Sequence, residues 1–287
     1  MVSSDTEPSK RRVEVHVMVP SSYARDASHL REKTSRIGFL CRALAIFRID
    51  KLVLYHEEPK NPDVGEAILI KSIADYMNTP PYLRKRAFRL REDLRYVGLL
   101  PPLNIPTHPP SPDLQEGSSE VREGRVVKMG PAYFIDAGLR RLIPSKSGMR
   151  EGQRVYLLVT KRGGRLRYKS ISRRKVGVYT GFRTVISESP IRESLNGYGL
   201  KIATSRLGRD VREVVDELRS KFNTLNGPVC VAFGSYKRGL EEICEAQGER
   251  VDELFDYVLN FAPAQGVRTI RTEEAVYVVL AVLNFIL

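Results

Sequence analysis

The sequence of 287 residues contains no tryptophan, three cysteines and four histidines. The cysteines are widely spaced and odd in number, so the sequence predicts neither a disulfide framework nor a zinc cluster. No histidine lies near a candidate nucleophile or metal ligand, and we expect no bound metal. The first residues, MVSSDTEPSKRR, lack the apolar stretch of a secretion signal. The apolar run 275–287 is shorter than the roughly 20 residues that cross a bilayer. We therefore expect a cytoplasmic protein that does not enter a membrane.

Two phosphate-binding motifs are also absent. The sequence has no GxxxxGK[ST] loop, whose backbone would cradle nucleotide phosphates, and no GxGxxG follows the first predicted strand. These absences argue against a nucleotide-dependent enzyme and against a dinucleotide-binding domain.

Positive charge is abundant and unevenly distributed, with a formal net charge of +13. Between Pro109 and Lys175 there are sixteen Lys and Arg residues against six Asp and Glu residues. From Gly227 to Leu287 there are five against nine. This division is typical of a protein in which one module holds a polyanion and another has a different task.

Hydrophobic periodicity predicts an α/β fold. Apolar residues alternate over Val13–Pro20, as in a strand, and recur at helical spacing over Leu30–Phe47. A short buried strand, Lys51–Tyr55, and a second helix, Ala67–Met77, follow. Strands and helices alternate again from Thr184 onward. This order predicts a parallel sheet covered by helices.

A β-rich module interrupts the alternation. Six prolines between Leu99 and Glu120 exclude a packed helix or a central strand, so this segment is predicted to be an extended linker. Short alternating strands with basic turns follow and predict a small β-barrel, whose rhythm resembles the OB or S1 class of RNA-binding barrel. We therefore predict a discontinuous domain, residues 1–105 and 176–287, interrupted by an OB-like domain, residues 106–175.

Three loops follow predicted strands in the C-terminal part of the chain. They are the first loop (203–208), the second loop (233–239) and the third loop (260–272). Loops at the carboxyl ends of parallel strands converge on a ligand crevice, so we expect a small polar ligand there. The glycines of these loops can instead be ordinary turn residues without a ligand. Thr272 can instead be a helix cap.

The chain resembles a branch of the SPOUT RNA methyltransferases, the archaeal and eukaryotic branch with an inserted OB-like module. The residues that carry this resemblance are NFAPAQGVRTIRTEEA (260–275), GLKIATSRLG (199–208), VAFGSYKRGL (231–240) and RIGFLCRALAIFRIDKLVLY (36–55). The resemblance covers nearly the whole chain. It implies an α/β fold with a SPOUT-type trefoil-knotted parallel sheet, helices on both faces, and a homodimer.

The same resemblance implies that S-adenosyl-L-methionine binds between the three loops. The residues that match the family's cofactor pocket are Thr204, Ser205, Gly208, Gly234, Asn260, Pro263, Gln265, Gly266, Thr269 and Thr272. One departure is the charge of Lys237 and Arg238 in the second loop, which leaves a role in anion binding open.

Methyl transfer from a sulfonium is a one-step displacement, so catalysis depends mainly on alignment. A general base is needed only where the acceptor atom carries a proton, as uridine N3 does. We expect Arg271, Glu273 and Glu188 near the acceptor.

The predicted substrate is a structured RNA such as ribosomal RNA, and uridine N3 is one candidate atom. A stretch of eight positive residues without an acid, 161–175, is expected to bind the RNA backbone. The residues selected from it are Lys161, Arg162, Arg165, Arg167, Tyr168, Lys169, Arg173 and Arg174. The alternative function is a non-catalytic RNA-binding or ribosome-assembly factor that retains the fold.

Overall fold

The computed structural model describes residues 8–145 and 148–287. These residues form two compact units. The first comprises 8–10, Tyr76–Arg91 and Pro102–Gly181, and the second comprises Arg11–Asp75, Glu92–Pro101 and Phe182–Leu287. Within the described residues, no helix combines the length and the apolar composition that crossing a membrane requires.

The strands are β1 (Val15–Pro20), β2 (Lys51–Tyr55), β3 (Ser119–Met129), β4 (Ala132–Asp136), β5 (Ile143–Pro144), β6 (Arg154–Arg162), β7 (Arg165–Ile171), β8 (Arg183–Ile186), β9 (Leu200–Asp210), β10 (Val229–Ala232) and β11 (Tyr257–Asn260). The α-helices are α1 (Leu30–Ile46), α2 (Val64–Met77), α3 (Pro81–Ala87), α4 (Ile191–Ser194), α5 (Val215–Thr224), α6 (Leu240–Ala246), α7 (Val251–Leu254) and α8 (Thr272–Ile286).

A six-stranded sheet in the order β11-β9-β10-β1-β2-β8 forms the second unit, and every neighbouring pair is parallel. All six residues of β1 are buried, as expected of a central strand covered on both faces. One core cluster joins residues of β1, β2, β9 and β10 to residues of α6. The predicted parallel sheet flanked by helices is therefore confirmed.

A buried ion pair joins the first and last long helices of this unit. The guanidinium of Arg36 in α1 lies 2.7 Å from the carboxylate of Glu273 in α8, and both residues are almost fully buried. Asp26 also accepts a hydrogen bond from Arg36. Although burial lowers the pKa of Arg36, the hydrogen bonds with Glu273 and Asp26 raise it above its ordinary value. The guanidinium therefore stays charged, and its contact with Glu273 holds the start of α8 against α1.

The first unit contains an antiparallel sheet in the order β5-β4-β3-β6-β7. Its core consists of alternating apolar residues, which include Val126, Ile135, Val155, Leu157 and Val159. The outermost strand, β7, is exposed along almost its whole length. A small β-rich module is thus present where alternation of short strands predicted one.

The proline-rich segment belongs to this unit. Residues 100–118 form neither a helix nor a strand, as the prolines predicted. However, Leu103, Ile105, Thr107 and His108 are each at most 6% exposed. The segment is therefore not a solvated linker. It is held to β3, where Glu123 donates its backbone N–H to the carbonyl of Thr107 and places its carboxylate 3.5 Å from His108 Nε2.

The Arg36–Glu273 pair generates a testable prediction. Replacing Glu273 with Gln leaves a buried guanidinium with one carboxylate partner fewer, so the free energy of unfolding should fall by about 3 kcal/mol. Urea denaturation measures this change. The matched control is Asp113→Asn, since the Asp113–Arg140 pair is exposed and its loss should leave the midpoint unchanged. An equal effect in both variants would contradict the role of the buried pair.

Candidate functional site

A cavity of about 370 Å³ lies between the three loops; the first loop is part of β9, and the second and third loops follow β10 and β11. Its wall is formed by residues from 204–207, 233–242 and 259–272, and by Ala275, Val278 and Val279 of α8. The position agrees with the general rule that ligands bind beyond the carboxyl ends of parallel strands.

The first loop lies inside strand β9, where it forms a wide bulge. Ala203 pairs with Val258 of β11, but the next residue of β11, Leu259, pairs with Arg209. Five residues of β9, 204–208, are therefore inserted where β11 has no residue between Val258 and Leu259. A Cβ atom at Gly208 would lie 2.7 Å from the carbonyl oxygen of Val258, so the close return of the chain requires glycine.

Two threonine hydroxyls bind the backbone of the neighbouring strand and loop. Thr204 Oγ1 donates to the carbonyl of Ala232 at 2.9 Å, and Thr272 Oγ1 donates to the carbonyl of Gly234 at 3.1 Å. Thr272 is the first residue of α8, and Arg271 is the N-cap. The hydroxyl of Thr272 donates to Gly234 and makes no cap hydrogen bond, which excludes its alternative role as a helix cap.

The first and third loops are hydrogen-bonded to each other. Asn260 Nδ2 donates to the carbonyl of Arg206 at 2.8 Å, while its Oδ1 accepts from the backbone N–H of Ala262 at 2.9 Å. The guanidinium of Arg206 donates in turn to the carbonyl of Arg268 at 2.6 Å. These bonds hold the two walls of the cavity at a constant separation.

Tyr55, at the end of β2, is hydrogen-bonded to the second loop. Its buried hydroxyl donates to the carbonyl of Phe233 at 2.8 Å. Burial raises the pKa of Tyr55, so the hydroxyl stays protonated and remains a donor. Sequence reasoning missed this residue because a tyrosine at the end of a buried strand carries no local sign of its partner.

Most of the predicted cofactor residues line the cavity. Those that do so are Thr204, Ser205, Gly234, Asn260, Gln265, Thr269 and Thr272. Gly208, Pro263 and Gly266 belong to the same loops but do not line it. Apolar side chains that the sequence did not single out complete the wall, namely Leu207, Phe233, Leu259, Phe261, Ile270, Val278 and Val279.

None of the three residues expected near the acceptor lines this cavity. Glu273, in the first turn of α8, is buried and paired with Arg36 of α1. Arg271 is exposed, and its backbone N–H donates to the Glu274 carboxylate at 3.0 Å at the start of α8. Glu188 is exposed in the segment after β8. In the second loop, Arg238 pairs with Glu58 at 3.2 Å, which partly neutralises its charge.

The predicted RNA-binding residues concentrate on the hairpin of β6 and β7. Arg162, Arg165, Arg167, Tyr168 and Lys169 are exposed. Arg162 and Arg165 face each other across the hairpin. Like charges in this position repel, so a bound polyanion would stabilise the arrangement.

The other three predicted residues differ in their surroundings. Lys161 donates to the carbonyl of Leu114 at 3.1 Å. Arg173 donates to Thr180 Oγ1 and to the carbonyl of Gly181, each at 3.2 Å. Arg174 is exposed. Lys161 and Arg173 therefore stabilise their own unit as well as adding charge.

Comparisons place the chain among RNA methyltransferases. A family model described as "Putative RNA methyltransferase" matches residues 14–283. A protein of Haloarcula marismortui named only as uncharacterized is 33% identical over 282 residues, covering 93% of this chain and 98% of that protein. The Homo sapiens protein named 28S rRNA (uridine-N(3))-methyltransferase is 30% identical over 318 residues, covering 98% of this chain and 81% of that protein.

The bulge predicts a specific sensitivity to substitution. Gly208→Ala should lower the free energy of unfolding by about 1–3 kcal/mol, because the added Cβ would meet the backbone of Val258 and Leu259. Gly266→Ala is the control, since its Cβ would have no atom within 4 Å. It should change stability by less than about 0.5 kcal/mol. Chemical denaturation compares the two, and a Gly208→Ala protein as stable as the control would refute the bulge geometry.

Proposed function

The chain belongs to this family of RNA methyltransferases, and from that premise we propose that it methylates N3 of a uridine in ribosomal RNA with S-adenosyl-L-methionine. The observation that carries the choice of substrate is the human relative, named for uridine N3 of 28S rRNA and aligned with 98% of this chain. Uridine N3 carries a proton at neutral pH, so this reaction requires a group that accepts it.

The cavity between the three loops fits the cofactor. Its volume lies in the range of about 300–1,000 Å³ that small-molecule sites occupy. Phe233, Phe261 and Ile270 offer an apolar surface for a purine ring, and the backbone of the loops offers polar groups for the ribose and the amino-acid tail. The residues that would hold it are the seven predicted ones that line the wall.

When bound, S-adenosyl-L-methionine supplies an electrophilic methyl group on a positively charged sulfur. The contribution of the chain is then alignment and exclusion of water, which together account for much of such a rate enhancement. The hydrogen bonds of Thr204, Asn260 and Thr272 provide this rigidity, because each joins one loop to another segment of the wall.

We also propose the finer features of the SPOUT class, a trefoil knot and a homodimer. The support for a knot is the contact between the first and third loops, which are joined by hydrogen bonds of Arg206 with Asn260 and Arg268. Exposed apolar side chains support a dimer. Phe285 at the end of α8 is 80% exposed, Leu207 in the first loop 79% and Val267 in the third loop 59%. A second copy of the chain that covered these side chains would remove their apolar surface from water.

The inserted segment 106–175 is proposed to hold the RNA. The support is the row of exposed basic residues on β7 and the like charges of Arg162 and Arg165, which face each other. Phosphate groups would neutralise this row, and the exposed ring of Tyr168 offers a surface on which a base can stack.

Calorimetric titration with S-adenosyl-L-methionine tests the cofactor site. We expect saturable binding by the wild type and roughly tenfold weaker binding by Thr272→Val, about 1.4 kcal/mol. The loss of the hydrogen bond to the Gly234 carbonyl releases the end of the third loop, which must then be ordered when the cofactor binds. Thr224→Val is the matched control, because that hydroxyl binds only the carbonyls of its own helix α5. Absence of binding by the wild type would overturn the proposed cofactor, and equal affinities would overturn the role of Thr272.

RNA binding is tested with the triple variant Arg165→Gln/Arg167→Gln/Lys169→Gln. Its affinity for an unmodified large-subunit rRNA transcript should fall, and the slope of log affinity against log salt should decrease by about 2–3. Filter binding at several salt concentrations gives both quantities. Arg140→Gln is the control, as Arg140 is already paired with Asp113. An unchanged salt slope in the triple variant would place the RNA elsewhere.

A further inference from the structure

A second cavity, of about 380 Å³, opens beside the first. It lies beyond the carboxyl ends of β1 and β2, and residues 21–25 and 56–63 form most of its wall. Tyr236, Lys237 and Arg238 of the second loop line both cavities. A molecule bound in the second cavity would therefore be a direct neighbour of one bound in the first.

His56 is the most distinctive group in this wall. It follows β2 and is only 3% exposed. Its Nδ1 atom lies 3.0 Å from Ser21 Oγ, which follows β1. Gln247 donates to the backbone carbonyl of His56 at 3.2 Å and further restrains the segment. In the described part of the chain, the other ring nitrogen, Nε2, has no hydrogen-bond partner, so it is the atom left for a ligand.

The carboxylates of the same wall are already engaged. The pairs are Glu57 with Ser22, Glu58 with Arg238 and Asp63 with Arg25. Among the described residues of this wall, the imidazole of His56 is therefore the group best suited to take a proton.

The protonation state of His56 allows its ring to accept a proton. Burial lowers the pKa of the ring, and the negative charges of Asp63 and Glu188 only partly counteract that effect. The ring is thus neutral at physiological pH. In the tautomer that donates Nδ1–H to Ser21, Nε2 carries the free electron pair. The two carboxylates would stabilise the imidazolium once it forms, which gives the predicted residue Glu188 an indirect role.

We infer that the second cavity receives the uracil ring of the target uridine and that His56 Nε2 is the general base that removes its N3 proton. This inference rests on the proposed function. A uracil edge presents one N–H between two carbonyl oxygens, and the cavity offers an acceptor in His56 with donors in Arg25, Asn61 and Lys237. Cytosine has no proton at N3, so the same arrangement discriminates against it.

The proposed step conserves atoms and charge. The N3–H bond breaks, the proton moves to Nε2, and the electron pair stays on N3. That pair then forms the bond to the methyl carbon while the pair of the carbon–sulfur bond remains on sulfur. The imidazolium finally releases its proton to water. Proton removal comes first because the departing proton and the incoming methyl group use the same in-plane electron pair of N3.

The test compares wild type, His56→Gln and His29→Asn in methyl transfer to an unmodified large-subunit rRNA transcript. His29 is an exposed histidine whose ring accepts a hydrogen bond from the backbone of Arg31, and Asn preserves that acceptor. We expect kcat of His56→Gln to fall at least about 100-fold, with the calorimetric affinity for S-adenosyl-L-methionine unchanged and His29→Asn unaffected. An active His56→Gln protein would overturn the role of His56.

The pH profile supplies an independent criterion. Activity requires unprotonated His56, so the rate should decline only below pH 6.5, the ordinary pKa of histidine, as the ring becomes protonated. The residual activity of His56→Gln should lack this decline. An identical acid limb in both proteins would assign the titration to another group and reject the inference.

A binding measurement separates this inference from the proposed function. In protein with isotopically labelled histidine, uridine 5′-monophosphate should shift the His56 ring resonance, which is assigned by its loss in His56→Gln, whereas cytidine 5′-monophosphate should not. Equal responses to both nucleotides, or to neither, would reject the uracil site. Failure of the wild type to methylate uridine N3 while the uridine-specific shift is present would reject the proposed reaction and retain the site.

Discussion

The candidate site depends on the close return of the first loop to β11. Because only glycine fits at position 208, the chain can leave the sheet at Ala203 and rejoin it at Arg209 opposite a single step of the neighbouring strand. The displaced residues then meet the third loop through Arg206.

The start of α8 is held in two directions by adjacent residues. Thr272 binds the second loop and Glu273 binds α1 through Arg36. The third loop ends at this anchored turn, so its position relative to the rest of the wall is set by buried contacts. Glu273 consequently positions the start of α8, and its carboxylate is turned to Arg36 and does not line the cavity.

The second loop divides two cavities of similar volume but different character. On one side, apolar side chains that include Phe233, Phe261 and Ile270 offer a surface for the proposed nucleoside cofactor. On the other side, paired charges surround a neutral histidine, as suits a polar base that must lose a proton. One segment, 236–238, belongs to both walls, so a donor and an acceptor placed on its two sides would be adjacent without sharing a pocket.

Hydrophobic periodicity by itself determined the parallel sheet, the order of its helices and the presence of a basic β-rich module, because strands and helices follow from side chains close in sequence. The tertiary structure alone decided which polar groups meet. Arg36 and Glu273 are 237 positions apart, and Ser21 and His56 follow different strands, β1 and β2. It also grouped Tyr76–Arg91 with the β-rich unit and buried the proline-rich segment. Such pairings depend on the path of the whole chain, and no local pattern encodes them.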